Sequence, residues 1–538
     1  MTGDPRAFLA IDRGAATAGA ALIGRVGGAW RLLGSVALPA AVDDDALIDL
    51  LIRRVEAADA VLARHLGVSA QQSGAIPAVT VRTVPPRRLA VVAPSERALA
   101  PLLEAASRSG WRTTGASVET TDPLAMTRLL LDGGVHGILA GAGDPPAPDE
   151  RGPLAEFTAL VAAAARRRPD RLVILAGAMA EATDAFGDLN AREGETLLGP
   201  AARSGNDGAP LRALLTELAV PADDARRALG PAARTLATVL DRRIELVEIG
   251  FDGALRAIAS PGDPSTGPTL DVAIVPSARL APADPDDATV DRVLAWLTVA
   301  SDRHRLRDRL REMRIAPWSD LTGDGAALRL SAARAALGRL ADATPEMSAA
   351  AAPDLIVAAG GVWSIAPAPV VALALADVLR RPGASAYALD HARLLGPLGS
   401  IPDEDERAAV ISDLADDLLA PLGSVVTPAG LRMGRSAGSL VVHGPGGDAR
   451  GRAPIDLVPG GIEVVDLPPG ASATAEFRFR DGVRLGGRGR HFAIDVVGGL
   501  AGLVVDLRDV PIKLPERADR RRELLEAWQI AVASGVRE

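Results

Sequence analysis

The residues Asp12-Arg13-Gly14-Ala15-Ala16-Thr17 lie between two apolar stretches near the start of the chain. A carboxylate at a strand end can hold Mg²⁺ through water, and a glycine turn offers backbone N–H groups to phosphates. We therefore predict a nucleotide site with Asp12, Gly14 and Thr17 as ligands and Asp12 as the metal residue. An aspartate that only shapes a turn gives the same pattern, so that alternative stays open.

Three apolar runs later in the chain end in similar glycine turns. They occupy residues 138–143, 174–178 and 356–361. A buried strand that ends in a glycine turn lets the backbone approach a ligand closely. Tight packing of a strand against a helix explains the same turns, and the sequence does not separate the two interpretations.

Composition argues against several kinds of chemistry. The 538 residues contain no Cys, which excludes disulfides, thiolate zinc sites and a cysteine nucleophile within them. The single lysine, Lys513, argues against a Walker-A loop, a kinase phosphate clamp and a pyridoxal Schiff base. No two of the six histidines have the i, i+4 spacing of a zinc helix.

The net charge of −9 argues against nucleic acid as a partner, because the average surface repels phosphates. Aromatic residues make up only 3% of the chain and offer few surfaces for stacking bases. No uncharged apolar run reaches about eighteen residues, and the first apolar stretch is too short for a signal peptide. We expect no membrane partner and a cytoplasmic location.

The elements that position these residues follow from hydrophobic periodicity. Residues 8–38 are typical of a strand, a tight turn and a second strand, and residues 44–66 of one long helix. Short apolar runs then alternate with helical patterns, which predicts an α/β architecture. Residues 421–514 alternate over short stretches and predict a small all-β domain, followed by an amphipathic helix.

Five longer stretches carry a more specific signal: AAPDLIVAAGGVWSIAPAP at 351–369, ALDHARLLGPLGSI at 388–401, LGSVVTPAG at 422–430, GGIEVVDLPPGASATAEFRF at 460–479 and LGGRGR at 485–490. With them the chain resembles the glutamate mutase L family, whose members are actin-like (ASKHA) ATPase-type accessory proteins of the adenosylcobalamin-dependent glutamate mutase. The hairpin and the glycine turns also come in the family's order, so the resemblance covers nearly the whole chain.

The resemblance implies two actin-like, ribonuclease-H-like lobes with a nucleotide cleft, at 1–136 and 137–420. A β domain at 421–514 and a helix at 515–538 would follow. The implied site residues are Asp12 and Gly14 in a first phosphate loop, Gly141, Gly143 and Asp144 in an internal glycine-rich turn, Gly250 in a second phosphate loop, and the adenosine-side pair Gly360 and Gly361.

The sequence departs from the family in these loops. Relatives have D-x-G-S-T-x-T-K in the first loop, whereas here the hydroxyls after Gly14 are replaced by alanines and the lysine is missing. In the second loop Phe251 replaces a glycine, and Asp252 is expected to bring a carboxylate towards phosphate. Pro145 and Pro146 supply no N–H donors. Each donor lost from the transition state costs about 2.7–4 kcal/mol of its stabilisation.

We interpret the chain as an accessory, partner-binding protein with a degenerate nucleotide site. It would be a chaperone or scaffold for a cobalamin-dependent mutase subunit or for another complex. ATP and Mg²⁺ would bind weakly or not at all, ATPase activity would be weak or absent, and cobalamin would not bind directly because the sequence contains no D-x-H-x-x-G stretch.

Two alternatives remain open. An active Mg-ATPase chaperone would use Asp12 for the metal and Glu248 or Asp144 to orient water. A small-molecule kinase on the same fold would need Asp144 or Asp252 as its catalytic carboxylate. Separately, Arg488 and Arg490 could hold carboxylates or phosphates of a partner, although an ordinary surface turn explains them equally well.

Overall fold

The structure is a computed structural model that describes residues 6–68, 76–143, 151–179, 196–202, 208–262, 265, 267–319, 321–444, 454–508 and 510–534. The chain divides into two compact units. The first comprises Met1–Thr83, Asp223–Val272 and Ala278–Glu538, and the second comprises Val84–Ala222 and Ala273–Ser277. The boundaries of these units differ from those of the four ranges expected from the sequence, which are 1–136, 137–420, 421–514 and 515–538.

The elements of the chain up to residue 240 are β1 (Ala7–Arg13), β2 (Thr17–Val26), β3 (Ala29–Pro39), α1 (Asp44–Ala58), α2 (Ala60–His65), β4 (Ala78–Arg82), β5 (Arg88–Ala93), α3 (Glu96–Ser107), β6 (Arg112–Ser117), α4 (Pro123–Leu131), β7 (Gly137–Ala142), α5 (Arg151–Arg167), β8 (Leu172–Gly177), β9 (Thr196–Gly199), α6 (Ala209–Ala219) and α7 (Ala225–Leu240).

The later elements are β10 (Ile244–Ile249), β11 (Ala254–Ser260), β12 (Thr269–Val275), α8 (Asp287–Trp296), α9 (Arg303–Ile315), α10 (Gly323–Ala343), α11 (Pro345–Ala349), β13 (Leu355–Ala359), α12 (Ala368–Val378), β14 (Gly383–Leu389), α13 (Leu395–Gly399), α14 (Glu404–Asp413), α15 (Ala415–Leu418), β15 (Ala420–Thr427), β16 (Gly438–His443), β17 (Ile455–Leu457), β18 (Ile462–Val465), β19 (Ser472–Leu485), β20 (Gly487–Val497), β21 (Leu503–Asp506) and α16 (Ala518–Ser534), with a 3-10 turn at Trp363–Ile365.

One strand arrangement occurs twice in the first unit. In a four-stranded sheet of order β3-β2-β1-β4, β1 pairs antiparallel with β2 and parallel with β4. In an eight-stranded sheet of order β12-β11-β10-β13-β14-β15-β21-β18, β10 pairs antiparallel with β11 and parallel with β13. Each of the two sheets thus contains a hairpin whose first strand also pairs in parallel with a later strand, and the predicted α/β fold class is confirmed.

The region predicted as an all-β domain divides between two sheets. β15, β18 and β21 complete the eight-stranded sheet, while β17-β16-β19-β20 form a separate antiparallel sheet. Alternation along β19 buries Phe477 and Phe479 in the core that this sheet shares with Val505 of β21. The terminal helix predicted after residue 514 is present as α16.

The single helix predicted for residues 44–66 is two helices. Asp59 has an extended backbone, which ends α1, and its carboxylate accepts the backbone N–H groups of Val61 and Leu62, which begins α2. A side chain that caps the next helix favours such a break over a continuous helix. Leu47, Leu51 and Val55 of α1 still pack on the first sheet, as the periodicity predicts.

The second unit contains a parallel sheet of order β6-β5-β7-β8-β9. Helices α3, α4, α5 and α6 belong to the same unit. In the part of the chain that is described, no helix is both long and apolar enough to span a membrane.

Candidate functional site

A cavity of about 440 Å³ lies within the first unit, where β1, β10, β13 and β14 end. Its walls are largely apolar and include Leu38, Leu280 and Ile365. The polar side chains that line it are Asp12, Thr17, Thr83, Glu248, Arg329, Ser364, Asp390 and Arg393. A cavity of this size and character suits a small ligand.

The β1–β2 turn forms one side of the cavity. Asp12 is the last residue but one of β1, and the N–H of Gly14 donates to the carbonyl of Thr17 at 3.1 Å. The backbone donor that the sequence analysis assigned to phosphate is therefore used inside the turn itself.

Arg393 lies against this turn. Its Nε donates to Asp12 Oδ2 at 2.7 Å, Nη2 lies 2.7 Å from the same oxygen, and Nη1 donates to Thr17 Oγ1 at 2.9 Å. The two charged side chains are 10% and 14% exposed. Arg393 has φ of +58°, a left-handed conformation that is uncommon outside glycine, so the surrounding structure holds this arginine in a strained backbone.

Glu248 occupies the matching place on β10, one residue before the strand ends. Its Oε2 is shielded from solvent and has no hydrogen-bond partner in the described structure. Burial raises the pKa of the Glu248 carboxyl to about 8, against the field of Arg226. Arg226 is itself paired with the buried Asp224 at 2.9 Å.

Two glycines leave room for the Glu248 carboxyl. A Cβ at position 250 would lie 2.9 Å from Glu248 Oε1, and one at position 360 would lie 3.2 Å from it. The N–H of Gly250 donates to the carbonyl of Gly253 at 2.9 Å, which repeats the closed turn seen at Gly14. Gly250 and Gly360, which are predicted to admit phosphate and adenosine, leave room for this side chain of the protein.

Asp390 is a third carboxyl at the cavity and is 4% exposed. Its Oδ1 and Oδ2 accept the N–H groups of Leu394 and Leu395 at 2.8 and 3.1 Å, just where α13 begins. Burial raises its pKa to about 7 although these hydrogen bonds lower it. Asp390 therefore shapes the loop that carries Arg393.

The turn after β10, predicted as the second phosphate loop, differs from the expectation in two respects. Phe251 lines the cavity wall, and the cavity stays open beside it. The Asp252 carboxylate accepts from Arg314 Nη2 at 2.6 Å, and Arg314 Nη1 donates to the Phe251 carbonyl at 2.8 Å. Asp252 is not among the residues that line the cavity, so the expectation that it faces a phosphate there is wrong.

The structure brings together most of the residues selected from the sequence. Those that line the cavity are Asp12, Gly14, Thr17, Glu248, Gly250, Gly360 and Gly361. Gly141 lies in β7 and Gly143 just after it, both in the second compact unit, and neither lines this cavity. Asp144 lies outside the described residues.

Sequence reasoning missed Arg393 and Asp390. It recorded the loss of a cation from the first loop, whereas the structure supplies a guanidinium from a loop 381 residues further along the chain. The available signal was the stretch ALDHARLLGPLGSI, in which both residues stand. That stretch supported the resemblance, but nothing in its spacing connects it to Asp12.

The groups that the sequence assigns to metal and phosphate at this cavity do not fit a magnesium triphosphate. Oδ2 of Asp12 is taken by Arg393, the Gly14 and Gly250 N–H groups close their own turns, and two further carboxyls line the wall. Mg²⁺ needs carboxylate oxygens free to coordinate, and phosphates need donors free to reach them. Among the described residues no group of three or more His, Cys, Asp or Glu side chains is placed to hold a metal.

Comparison with known proteins finds no matching family model and no matching curated protein. Among solved structures, a PPX-GPPA enzyme of Aquifex aeolicus is similar at 7% identity, over 76% of this chain and 92% of that one, with a TM-score of 0.21. A PilM–PilN type IV pilus biogenesis complex contains a chain similar at 12% identity, over 76% of this chain and 98% of that one, with a TM-score of 0.22. At these values neither likeness carries an argument about this chain, and the α/β assignment rests on the strand order.

Proposed function

We propose that this chain is an actin-like accessory protein of the glutamate mutase L type, which binds a protein partner and does not use Mg-ATP. The observation that carries the proposal is the contact of Arg393 with Asp12 and Thr17. The residues that a nucleotide site would offer to metal and phosphate are engaged by the protein itself.

The other acidic groups at the cavity also bear on whether a triphosphate binds there. Once Asp12 is paired with Arg393, the other acidic groups at the cavity are Glu248 and Asp390. Both have raised pKa values because burial disfavours their charged forms. A triphosphate placed beside them would raise the cost of ionising either group further. A polyanion would therefore bind beside these carboxyls only while both stay protonated.

The partner class comes from the resemblance. A subunit of a cobalamin-dependent mutase is the partner of that family, and binding to such a subunit, or to another complex, is the role proposed for this chain. Cobalamin would be carried by the partner, and this chain would act as a chaperone or scaffold.

Isothermal titration calorimetry with ATP and MgCl₂ tests the nucleotide claim. We expect no binding tighter than about millimolar. Asp12→Ala is the matched control, because it should leave this result unchanged. Micromolar affinity that disappears in Asp12→Ala would overturn the proposal.

A purified mutase subunit from the same genome tests the partner claim. Size-exclusion chromatography with light scattering should show a stoichiometric complex without added nucleotide. Separate elution of the two proteins at micromolar concentration would contradict the accessory role.

One observation favours a second candidate, the Mg-ATPase. Glu248 Oε2 has no hydrogen-bond partner in the described structure, and the side chain lines the cavity, as a residue that orients water would. Phosphate release from ATP by the wild type, abolished in Glu248→Gln, would support that candidate over the proposed function.

A further inference from the structure

Arginines concentrate at one end of the β19–β20 hairpin. Between residues 478 and 490 the chain carries five arginines, all exposed: Arg478, Arg480, Arg484, Arg488 and Arg490. One acidic residue, Asp481, stands in the same stretch. The whole chain has a net charge of −9, so the charge of this basic cluster is opposite in sign to the net charge of the protein.

Alternation along β19 places Arg478, Arg480 and Arg484 on the outer face of the sheet. Arg478 stands opposite His491, and Arg484 stands opposite Arg488. The alternate residues of β19, among them Phe479 and Val483, are buried in the core. Like charges directly opposite each other destabilise a sheet, so folding alone does not favour this arrangement.

Few carboxylates neutralise the cluster. Asp481 accepts from Arg435 Nη2 at 2.6 Å and lies 3.7 Å from Arg432 Nε, both of which come from the loop before β16. Arg478 lies 3.8 Å from Glu476. Within the described part of the chain, no carboxylate lies within ion-pair distance of Arg480, Arg484, Arg488 or Arg490.

Helix α9 shows that an arginine-rich element of this protein is ordinarily neutralised. Four of its arginines form ion pairs with aspartates: Arg303 with Asp291, Arg307 with Asp287, Arg311 with Asp284 and Arg314 with Asp252. The hairpin lacks this compensation, although both elements are exposed and rich in arginine.

We infer that the arginine face of the β19–β20 hairpin docks an Asp- and Glu-rich segment of the partner protein. This inference rests on the proposed partner-binding function and adds the surface and the chemistry of contact. Guanidinium groups form paired hydrogen bonds with carboxylates, and several of them along one sheet face match an acidic segment of a few residues.

An acidic protein segment fits this face better than a nucleic acid does. The aromatic residues of the hairpin, Phe477, Phe479 and Phe492, belong to the core and do not present rings for stacking bases. The net charge of the chain would also repel a long phosphate backbone that extends beyond the hairpin.

The first test uses a fluorescent peptide of eight Asp-Glu repeats and the full chain at low salt. Anisotropy should show saturable binding that weakens as salt is added. Arg484→Glu/Arg488→Glu should bind about tenfold more weakly or worse. The matched control, Arg53→Glu/Arg54→Glu on α1, makes the same change of charge at exposed arginines and should bind within about twofold of the wild type.

A stability measurement separates binding from folding. Because Arg484 and Arg488 face each other, Arg484→Thr should leave the thermal midpoint unchanged or raise it while binding weakens. Equal loss of peptide binding in both double variants, no binding at all, or tighter binding of a labelled oligothymidine than of the peptide would each overturn the inference.

The mutase subunit distinguishes the inference from the proposed function. If the wild type and Arg484→Glu/Arg488→Glu bind the subunit equally, the docking surface is wrong and the accessory role stands. If the peptide binds at the hairpin but no subunit binds the chain, the surface stands and the mutase partner is wrong.

Discussion

The two turns that face the cavity are built alike and differ in what holds their acidic residue. Asp12 and Glu248 each precede the last residue of a strand, and each is followed two residues later by a glycine whose N–H closes the turn. Arg393 pairs with Asp12, whereas Glu248 has one oxygen without a partner and a raised pKa. Similar turns therefore carry carboxyls of different character, because Arg393 forms an ion pair with Asp12 while burial raises the pKa of Glu248.

The largest effect expected from a single substitution at one pH is at the paired turn. Arg393→Ala should lower the free energy of unfolding by about 3 kcal/mol, because it leaves the Asp12 carboxylate with little solvent and no cation. Urea unfolding measures this. Arg53→Ala, which removes an exposed pair at 3.4 Å, should cost well under about 1 kcal/mol. Equal effects of the two substitutions would show that the Asp12 pair has no special role.

The second-largest loss of stability is expected at Gly360, which leaves room for the Glu248 carboxyl. Gly360→Ala should cost about 2 kcal/mol, because its Cβ would lie 3.2 Å from Glu248 Oε1 and its φ is +93°. Gly430→Ala has φ of +85° and open space around its Cβ, so it measures the backbone strain alone. We expect Gly430→Ala to lose less stability than Gly360→Ala. If Gly360→Ala loses only that smaller amount in a Glu248→Ala background, the difference is due to the Glu248 carboxyl. Identical losses at both glycines would refute the crowding.

The third effect is a pH dependence that arises from the buried carboxyls of Glu248 and Asp390. Folded Glu248 keeps its proton to about pH 8, whereas the unfolded side chain releases it near pH 4.5. Unfolding between these values releases a proton, so stability falls as pH rises, by up to about 1.4 kcal/mol per pH unit, and levels off above pH 8. Asp390 adds a similar fall that ends near pH 7.

Glu248→Gln separates these two contributions. The amide cannot ionise, so the slope between pH 7 and pH 8 should disappear while the fall below pH 7 persists. Urea midpoints measured from pH 5 to pH 9 give both slopes. An unchanged slope above pH 7 in Glu248→Gln would place the titrating group elsewhere.

The smallest effect is at the partly exposed pair outside the cavity. Arg314→Ala should cost about 1 kcal/mol, because the arginine is 31% exposed, and should leave the Glu248 pH slope intact. Thermal unfolding at pH 6 and pH 8 checks both statements. A changed pH slope would mean that the Arg314–Asp252 pair affects the ionisation of Glu248.

Local patterns predicted much of this site. The β1–β2 hairpin, the glycine turn before the 3-10 segment and the acidic end of β10 all lie where apolar runs and glycines indicate them. The break at Asp59 was missed, because a helical pattern of apolar residues continues through a residue whose carboxylate caps the next helix. Periodicity reports which face is buried, and not whether the backbone is continuous.

The amino-acid sequence alone determined the α/β class, the two acidic turns and the arginine-rich hairpin, since each depends on neighbours within a few residues. Only the tertiary structure decided that Arg393 meets Asp12 and that Asp252 turns to Arg314. Those pairings join segments 381 and 62 residues apart, and electrostatic attraction acts through space after folding has brought the charges together. The local spacing of residues therefore does not predict which of these charged side chains form pairs.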